Sequence, residues 1–590
     1  GCRAARMAAH ALSAAAAVLT RAGPWSREEL CDLFIALGLE ASPGELEMVL
    51  SAHETEAGFI DCEQLCSCLS AAHRQEAAVI DLAPDACCNE DQVEEVACCW
   101  IRQKLQQFSE GCTIPNVEDR AMQMCHLDFV LGCIHKGCSP PIAWADAEGR
   151  ALATKEVDLY RLVELLVKPA TADRACSFSE VVAERPQPCD WFVSHWWGEP
   201  VIDFAHCLRQ HLHDRNLKKD TAYWVCAYAN NQWSVGQEIG ADPTNSSFRR
   251  AMRRAEGTVS VLDINAVCYT RVWCIYETYI STLQQASGEK GSDAVPYFFD
   301  IYSFDPAQNA AIGIAEGFIA ADGTGPKQAR RKRHRESCFP LELILKALDI
   351  QVEHARASRE SDRRMILNSI VGVDDLEAPP AAEHEGYQLL NDVLHGRFAA
   401  ASFVKAASIG MDLSRHSAAL ALSRLHELAL HFGGDCQQRL TDEGVVLLAR
   451  NLPVDTLQDL FLGFQGCRRL TDASAVALGM ALSRMSKLRS IELRLSSGPR
   501  LSDEGVSALA EGLAVGPKLL ERLALDITSQ KDITEVSCSL LAQSLERMSS
   551  LQRVSVGLSS SSKSLHRVCA KWGKWKATSK GQRDAGAAEE

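Results

Sequence analysis

Polar and aromatic side chains gather at the ends of three short apolar runs between Asp190 and about Gln285. The first run, Trp191-Phe192-Val193, ends in Ser194 and His195, with Trp196 and Trp197 directly behind. The second, Tyr223 to Tyr228, leads to Asn230, Asn231 and, further along its loop, Trp233. The third, Thr258 to Leu262, ends at Asp263, and Glu277 follows in the second turn of the next helix-patterned segment. Hydroxyl, imidazole, amide and carboxylate groups can orient and polarise a small ligand, and indoles offer flat faces to a ring. The same residues have a plainer reading. Trp273, Cys274, Ile275 and Tyr279 recur at the spacing of a helix's core face, and a tryptophan-rich strand end can pack under a neighbouring domain. Glu277 can equally be a solvated helix carboxylate or the partner of Arg271.

The elements around these residues decide whether they can meet. A helix of period near 3.6 is expected from Asp158 through Val167, ahead of Pro169, Pro186 and Pro188. Asp203 to His213 alternates helically behind the first run. Ser246 and Ser247 cap a helix through Phe248, Met252 and Ala255, and Arg271 to Gln284 follows the third run. Tyr297 to Ile301, after Pro296, reads as a fourth strand. Four strands with intervening helices make a flavodoxin-like parallel sheet the economical fold, and such sheets bind ligands at the carboxyl ends of their strands.

Trp273, Cys274 and Glu277 form a WC-x-x-E sequence after the third strand, and the first strand reads DWFVSH. On these residues the segment resembles TIR domains over about 120 residues. The resemblance implies a TIR-like α/β domain over 156–375, self-association through it, and NAD as a substrate. Glu277 would then be the catalytic carboxylate. Ser194, His195, Trp196, Trp197, Asn230, Asn231, Trp233 and Asp263 would line the site. Cleavage of an N-glycosidic bond passes through an oxocarbenium-like state that a nearby carboxylate stabilises. The sequence departs from the family where His195-Trp196-Trp197-Gly198 follows the first strand, where Thr278 stands in place of the common Leu, and in the long loop from Ala229 to Asn245.

Beyond residue 420 the chain repeats. Leu425-x-x-Leu428-x-Leu430 recurs from Leu457, Leu488, Leu520 and Leu551, at steps of 32, 31, 32 and 31 residues. Between them recur the helix-opening phrases LTDEG, LTDAS, LSDEG and ITEVS, at Leu440, Leu470, Leu501 and Ile533. This resembles the ribonuclease-inhibitor type of leucine-rich repeat, which implies a solenoid over 420–560 with a strand-lined concave face for a protein partner. Outward positions (Glu427 and Ala429, Asp459 and Phe461, Arg489 and Glu492, Arg522 and Asp526) do not specify that partner.

The remaining segments carry weaker signals. Residues 1–75 resemble an α-helical EF-hand module, with capping pairs Ser26/Glu29 and Ser42/Glu45 and a loop containing Gly58 and Ile60. A calcium loop starting at His53 would offer only Thr55 and Asp61 as suitable oxygens, so calcium binding is not expected. Gly1-Cys2 lacks the hydroxyl context of acylation, and the apolar run from Ala11 to Leu19 reads as an amphipathic helix rather than a signal peptide. Residues 76–155 form a Cys-rich helical linker. Its Cys112, Cys125, His126, Cys133, His135 and Cys138 lack paired-knuckle spacing, and no metal is assigned. The basic run PKQARRKRHRE at Pro326 to Glu336 reads as a solvated loop, with nuclear import as the alternative. Residues 376–419 are expected to be a linker and repeat cap. Residues 561–590 are expected to be a basic, flexible tail containing Trp572 and Trp575, which could dock on an anionic partner.

Composition bounds the whole. The 590 residues exceed one core and suggest several domains, with 47% hydrophobic and 23% charged residues as in ordinary globular proteins. A net charge of -16 argues against a nucleic-acid partner, and no apolar run is long enough for a membrane span. Twenty-four scattered cysteines suit reduced thiols and a cytoplasmic location. The expectation is a multidomain α/β signalling or scaffolding protein. In it the repeats choose a partner and the TIR-like sheet is the output or ligand-sensing module. The alternatives are an NAD glycohydrolase and a calcium-responsive adaptor.

Overall fold

The computed structural model describes residues 100–577, apart from 102, 109–110, 241, 288–296, 324–327, 529, 559–561 and 570–575. The EF-hand-like module and the two tail tryptophans lie outside these residues. The described residues 100–138 and 144–577 belong to one compact unit. Among them are two six-stranded sheets in a mixed α/β arrangement, both predominantly parallel.

After helical residues at 100–101 and 103–105 come strand β1 (Met122–Gln123) and helix α1 (Met124–Gly137). The helix expected before Pro169 forms but changes pitch and runs on past the proline. Leu159–Leu162 is α-helical, Val163–Val167 widens into a π-helical turn, and Lys168–Thr171 resumes the α form. Pro169 has no N–H to donate, so the regular ladder cannot pass through it unchanged.

The sheet then builds from β2 (Trp191–His195), β3 (Ala222–Trp224), β4 (Gly257–Leu262), β5 (Phe298–Asp305) and β6 (Ala310–Ile314). Its order is β1-β3-β2-β4-β5-β6, with β2 to β5 parallel and β1 and β6 antiparallel at the edges. Every residue of β2 and β4 is buried, as central strands covered on both faces require. The expected second strand is corrected. It stops at Trp224, and Cys226–Ala229 turns into a short helix. The cause is pairing. Only Tyr223 and Trp224 find partners in β2, and β1 offers two residues on the other side.

Helix α2 (Val201–Asp214) follows β2, α3 (Ser247–Arg254) precedes β4, and α4 (Val272–Ser287) follows it. The Ser246 hydroxyl caps α3 by accepting the Arg249 N–H. Buried Asp300 of β5 ties the far end of α2 to the sheet, accepting from the Arg215 guanidinium at 2.7 and 2.6 Å. Burial alone would raise its pKa, but His211 and Arg215 hold it well below the usual carboxylate range.

The basic run is a helix, α5 (Gln328–Ser337), and not the expected loop. Lys332 donates to the carbonyls of Ala315 (2.9 Å) and Gly317, and Arg335 donates to Gly313 and pairs with Asp322 at 3.1 Å. Unused carbonyls around edge strand β6 thus consume two of its cations.

Helices α6 (Leu341–Ala347) and α7 (Glu360–Val371) precede α8 (Glu385–Ile409), a 25-residue helix. Where a linker was expected, α8 buries Tyr387, Leu390, Leu394, Phe398, Phe403 and Ala406 in one hydrophobic core that runs from the first sheet into the repeats. Its Arg397 donates to the Phe299 carbonyl at 2.7 Å and pairs with Glu316 at 3.0 Å.

After α9 (Ser414–Leu422), the repeats place β7 (Glu427–His431), β8 (Asp459–Gly463), β9 (Ser490–Arg494), β10 (Arg522–Ile527) and β11 (Arg553–Leu558) side by side in order and in parallel. The helices between them are α10 (Asp442–Arg450), α11 (Asp472–Leu482), α12 (Asp503–Val515) and α13 (Glu535–Glu546). Equivalent leucines pair in register, Leu428 with Leu460, Leu460 with Ile491, Ile491 with Leu523 and Leu523 with Val554. Along β9 the outer positions are Ser490, Glu492 and Arg494, while Arg489 lies before the strand and pairs with Glu521.

The tail begins ordered. Helix α14 (Lys563–Cys569) buries Leu565, Val568 and Cys569, and Lys576–Ala577 adds a short strand beside β11.

Candidate functional site

The parallel order carries the carboxyl ends of β2 and β4 to neighbouring positions, with Ser194 paired to Ser260 and His195 to Val261. Helix α4 passes against β2 there, and the Cys274 thiol donates to the His195 carbonyl at 3.5 Å. One turn further on, Glu277 turns its carboxyl into the protein and is only 4% exposed. Its Oε2 has no hydrogen-bond partner. Burial pushes its pKa up to about 8, and the Ser194 hydroxyl, which favours the charged form, offsets only part of that. At neutral pH the resting group is therefore mainly the protonated acid.

Near it stands Cys226, which is joined to Trp197 and faces His195. The Trp197 indole N–H donates to the Cys226 sulfur at 3.1 Å, and that sulfur lies 4.0 Å from His195 Nε2. Burial lowers the His195 pKa to about 4, so its ring is neutral. Burial raises Cys226 to about 12 despite the Trp197 bond, with Glu277 adding to the rise. These thiols are protonated and do not act as resting nucleophiles. Trp196 folds its ring over Gly198, where a Cβ would lie 2.2 Å from the indole, so this turn requires glycine.

The other candidates divide. Asn230 is buried with Oδ1 unpartnered. Asn231 and Trp233 support their own loop. Asn231 donates to the Ala175 carbonyl at 2.6 Å and accepts the Trp233 N–H, while the Trp233 indole donates to Thr171 at 3.0 Å. Asp263 accepts the N–H groups of Asn265 and Val267 and so shapes the turn after β4. Arg271 donates to Ser358 and does not pair with Glu277. Trp273 stacks on Phe248 at 5.0 Å, on the core side of α4.

No protein-family model matches the chain. A stretch of 91 residues is 31% identical to initiator protein NS1 of canine parvovirus type 2, and the same holds for the NS1 proteins of feline panleukopenia virus and mink enteritis virus. That stretch is 15% of this chain and spans 12% of the viral proteins' length. The likeness carries no family assignment.

One residue at this edge escaped sequence reasoning. Glu199, directly before Pro200, is 4% exposed with Oε2 unpartnered. Burial, then Asp263 and Asp203, raise its pKa well above the carboxylate range. The signal was an acid among tryptophans at a strand end, where a glutamate is seldom fully buried. The edge thus holds two buried acids whose pKa values are raised by burial, Glu277 on α4 and Glu199 behind β2.

The Cys/His cluster does not converge. On α1, Cys125 is exposed while Cys133 is buried, with its thiol pushed up to about 12, and no group of three metal-ligating residues is poised for a metal ion among the described residues.

Proposed function

We propose that the chain is a signalling or scaffolding protein in which a leucine-rich-repeat solenoid binds a protein partner and a TIR-like sheet serves as the sensing or output module. The observation that carries this reading is the stack of five in-register parallel strands at 31- and 32-residue steps, each backed by its own helix. A unit of this kind buries its apolar side only against its neighbours and leaves alternate strand residues on one continuous face. That face carries an exposed acid, Glu427, on its first strand and an exposed base, Arg553, on its last. Arg522 reaches across to Asp459 at 3.0 Å. Such charge separation suits a partner with the opposite polarity. Affinity capture with wild type and with an Arg522→Glu/Arg553→Glu variant tests it. A protein held by the first and released by the second is expected, and identical captures would overturn the reading.

A second reading, NAD cleavage, rests on Glu277. The strand order β3-β2-β4-β5 is the flavodoxin-like sequence in which sites form at the carboxyl edge, and Glu277 stands there with its Oε2 unpartnered. The nicotinamide ring of NAD is cationic, so its arrival would draw Glu277 toward the carboxylate that stabilises an oxocarbenium-like state. Release of nicotinamide by wild type is expected to rise with pH toward about 8, the value to which burial carries this acid. Release should fall to background in Glu277→Gln. Equal release by the two proteins would remove this reading.

A further inference from the structure

We propose that a cleft at the edge of the repeat array, lined by Arg468, Arg500 and Lys531, binds a phosphate-bearing ligand. The cleft has a volume of about 560 Å³ and lies among the loops that follow β8, β9 and β10. It is separate from both Glu277 and the strand face. Its three cations come from three successive units, at intervals of 32 and 31 residues, so the repeat itself brings them to one place.

Convergence on one cleft without a paired carboxylate sets them apart. Three other arginines of the array are paired: Arg489 with Glu521, Arg494 with Glu492, and Arg522 with Asp459. Among the described residues no carboxylate pairs with Arg468, Arg500 or Lys531, and Asp532 is the only acid lining the cleft. In a chain with a net charge of -16, three cations against one acid around a single hollow form a local field of the opposite sign.

The floor is fixed. The buried Gln530 amide donates to the Leu495 carbonyl at 2.9 Å and accepts the Leu501 N–H at 3.1 Å, which locks two loops together. Gly498 lies so close to the preceding loop that a Cβ would meet the Cys467 nitrogen at 2.4 Å. Ser497 beside it adopts a left-handed φ of 60°, a conformation a residue with a Cβ seldom takes unless its surroundings impose it. A fixed floor beneath exposed cations suits a compact dianion, because guanidinium and ammonium groups both answer phosphate oxygens. The size admits a small phosphorylated metabolite or one phosphorylated side chain.

The test is isothermal titration of the full chain at about 0.15 M salt, with inorganic pyrophosphate in one arm and a phosphoserine peptide in the other. Saturable binding in at least one arm is expected, and the tighter arm identifies the source of the phosphate. An Arg500→Ala/Lys531→Ala variant should bind at least about tenfold more weakly with an unchanged thermal midpoint, since both side chains are exposed. The charge-keeping variant Arg500→Lys/Lys531→Arg should retain binding. No saturable heat in either arm, or equal affinity in wild type and the alanine variant, would overturn the proposal.

Discussion

Glu277 combines near-complete burial, one unpartnered oxygen and a raised pKa, and this has a consequence for stability. In the unfolded chain such a group titrates near its ordinary 4.5, and in the folded protein near about 8. Between those values the folded state holds a proton that the unfolded state has lost. Stability is therefore greatest below about 4.5, declines by about 1.4 kcal/mol per pH unit through the window and levels off above about 8. Glu199, shifted in the same direction, adds to the slope. Glu277→Gln removes one contributor. Its urea midpoint should fall less than that of wild type between about pH 5 and 8, and at the upper end it should be the more stable protein. Parallel declines would show that Glu277 is not buried in solution. The WC-x-x-E spacing was legible in the chain, and so was the helix that carries it. The surroundings of Glu277 were not, because Cys226 reaches it only through a helical turn that replaces the second half of an expected strand.

At the scale of elements, the repeated phrase after each strand does more than open a helix. In LTDEG, LTDAS, LSDEG and ITEVS, the acid at the first helical position of one unit receives bonds from the cap or first turn of the next helix. Asp442 accepts from the Thr471 N–H (2.9 Å) and hydroxyl (2.7 Å), Asp472 from the same two groups of Ser502, Asp503 from those of Thr534, and Glu535 from Ser564. Burial works against the charge on Asp503, but the Ser537 and Thr534 bonds prevail and lower its pKa. Asp472→Ala would leave the Ser502 and Gly505 N–H groups without their acceptor at a packed seam. A loss of about 2–3 kcal/mol is expected by chemical denaturation. A loss below about 0.5 kcal/mol would mean that the units hold together by apolar contact alone. Sequence reasoning found the phrase through its period and read it as a local cap. The bridging role stayed hidden because each donor is about 30 residues from its acceptor, and only stacking makes them neighbours.

At the scale of the molecule, the two sheets share one core. The period of 31 and 32 residues made the array legible, and the alternation of apolar runs with helices did the same for the first sheet. Residues 376–419 were misleading because two prolines, Pro379 and Pro380, and a turn-rich stretch precede α8 and its apolar pattern has no charged face. A helix buried on several sides looks like this. Phe398 meets Tyr269 at 6.0 Å on the sheet side, and Phe403 meets Phe432 at 6.3 Å on the repeat side. The basic helix α5 adds a second join, since it packs against both β6 and β7.

Shared residues of this kind bear on how such a chain can be inherited. Modular proteins gain and lose parts freely when the seam between them is a polar linker that neither part needs. Here the seam is α8, and its Arg397 answers a carbonyl of β5 while, two turns on, its Phe403 answers the first repeat. Neither half can be exchanged for a foreign one without rewriting the helix between them, so sheet and array are bound to descend together.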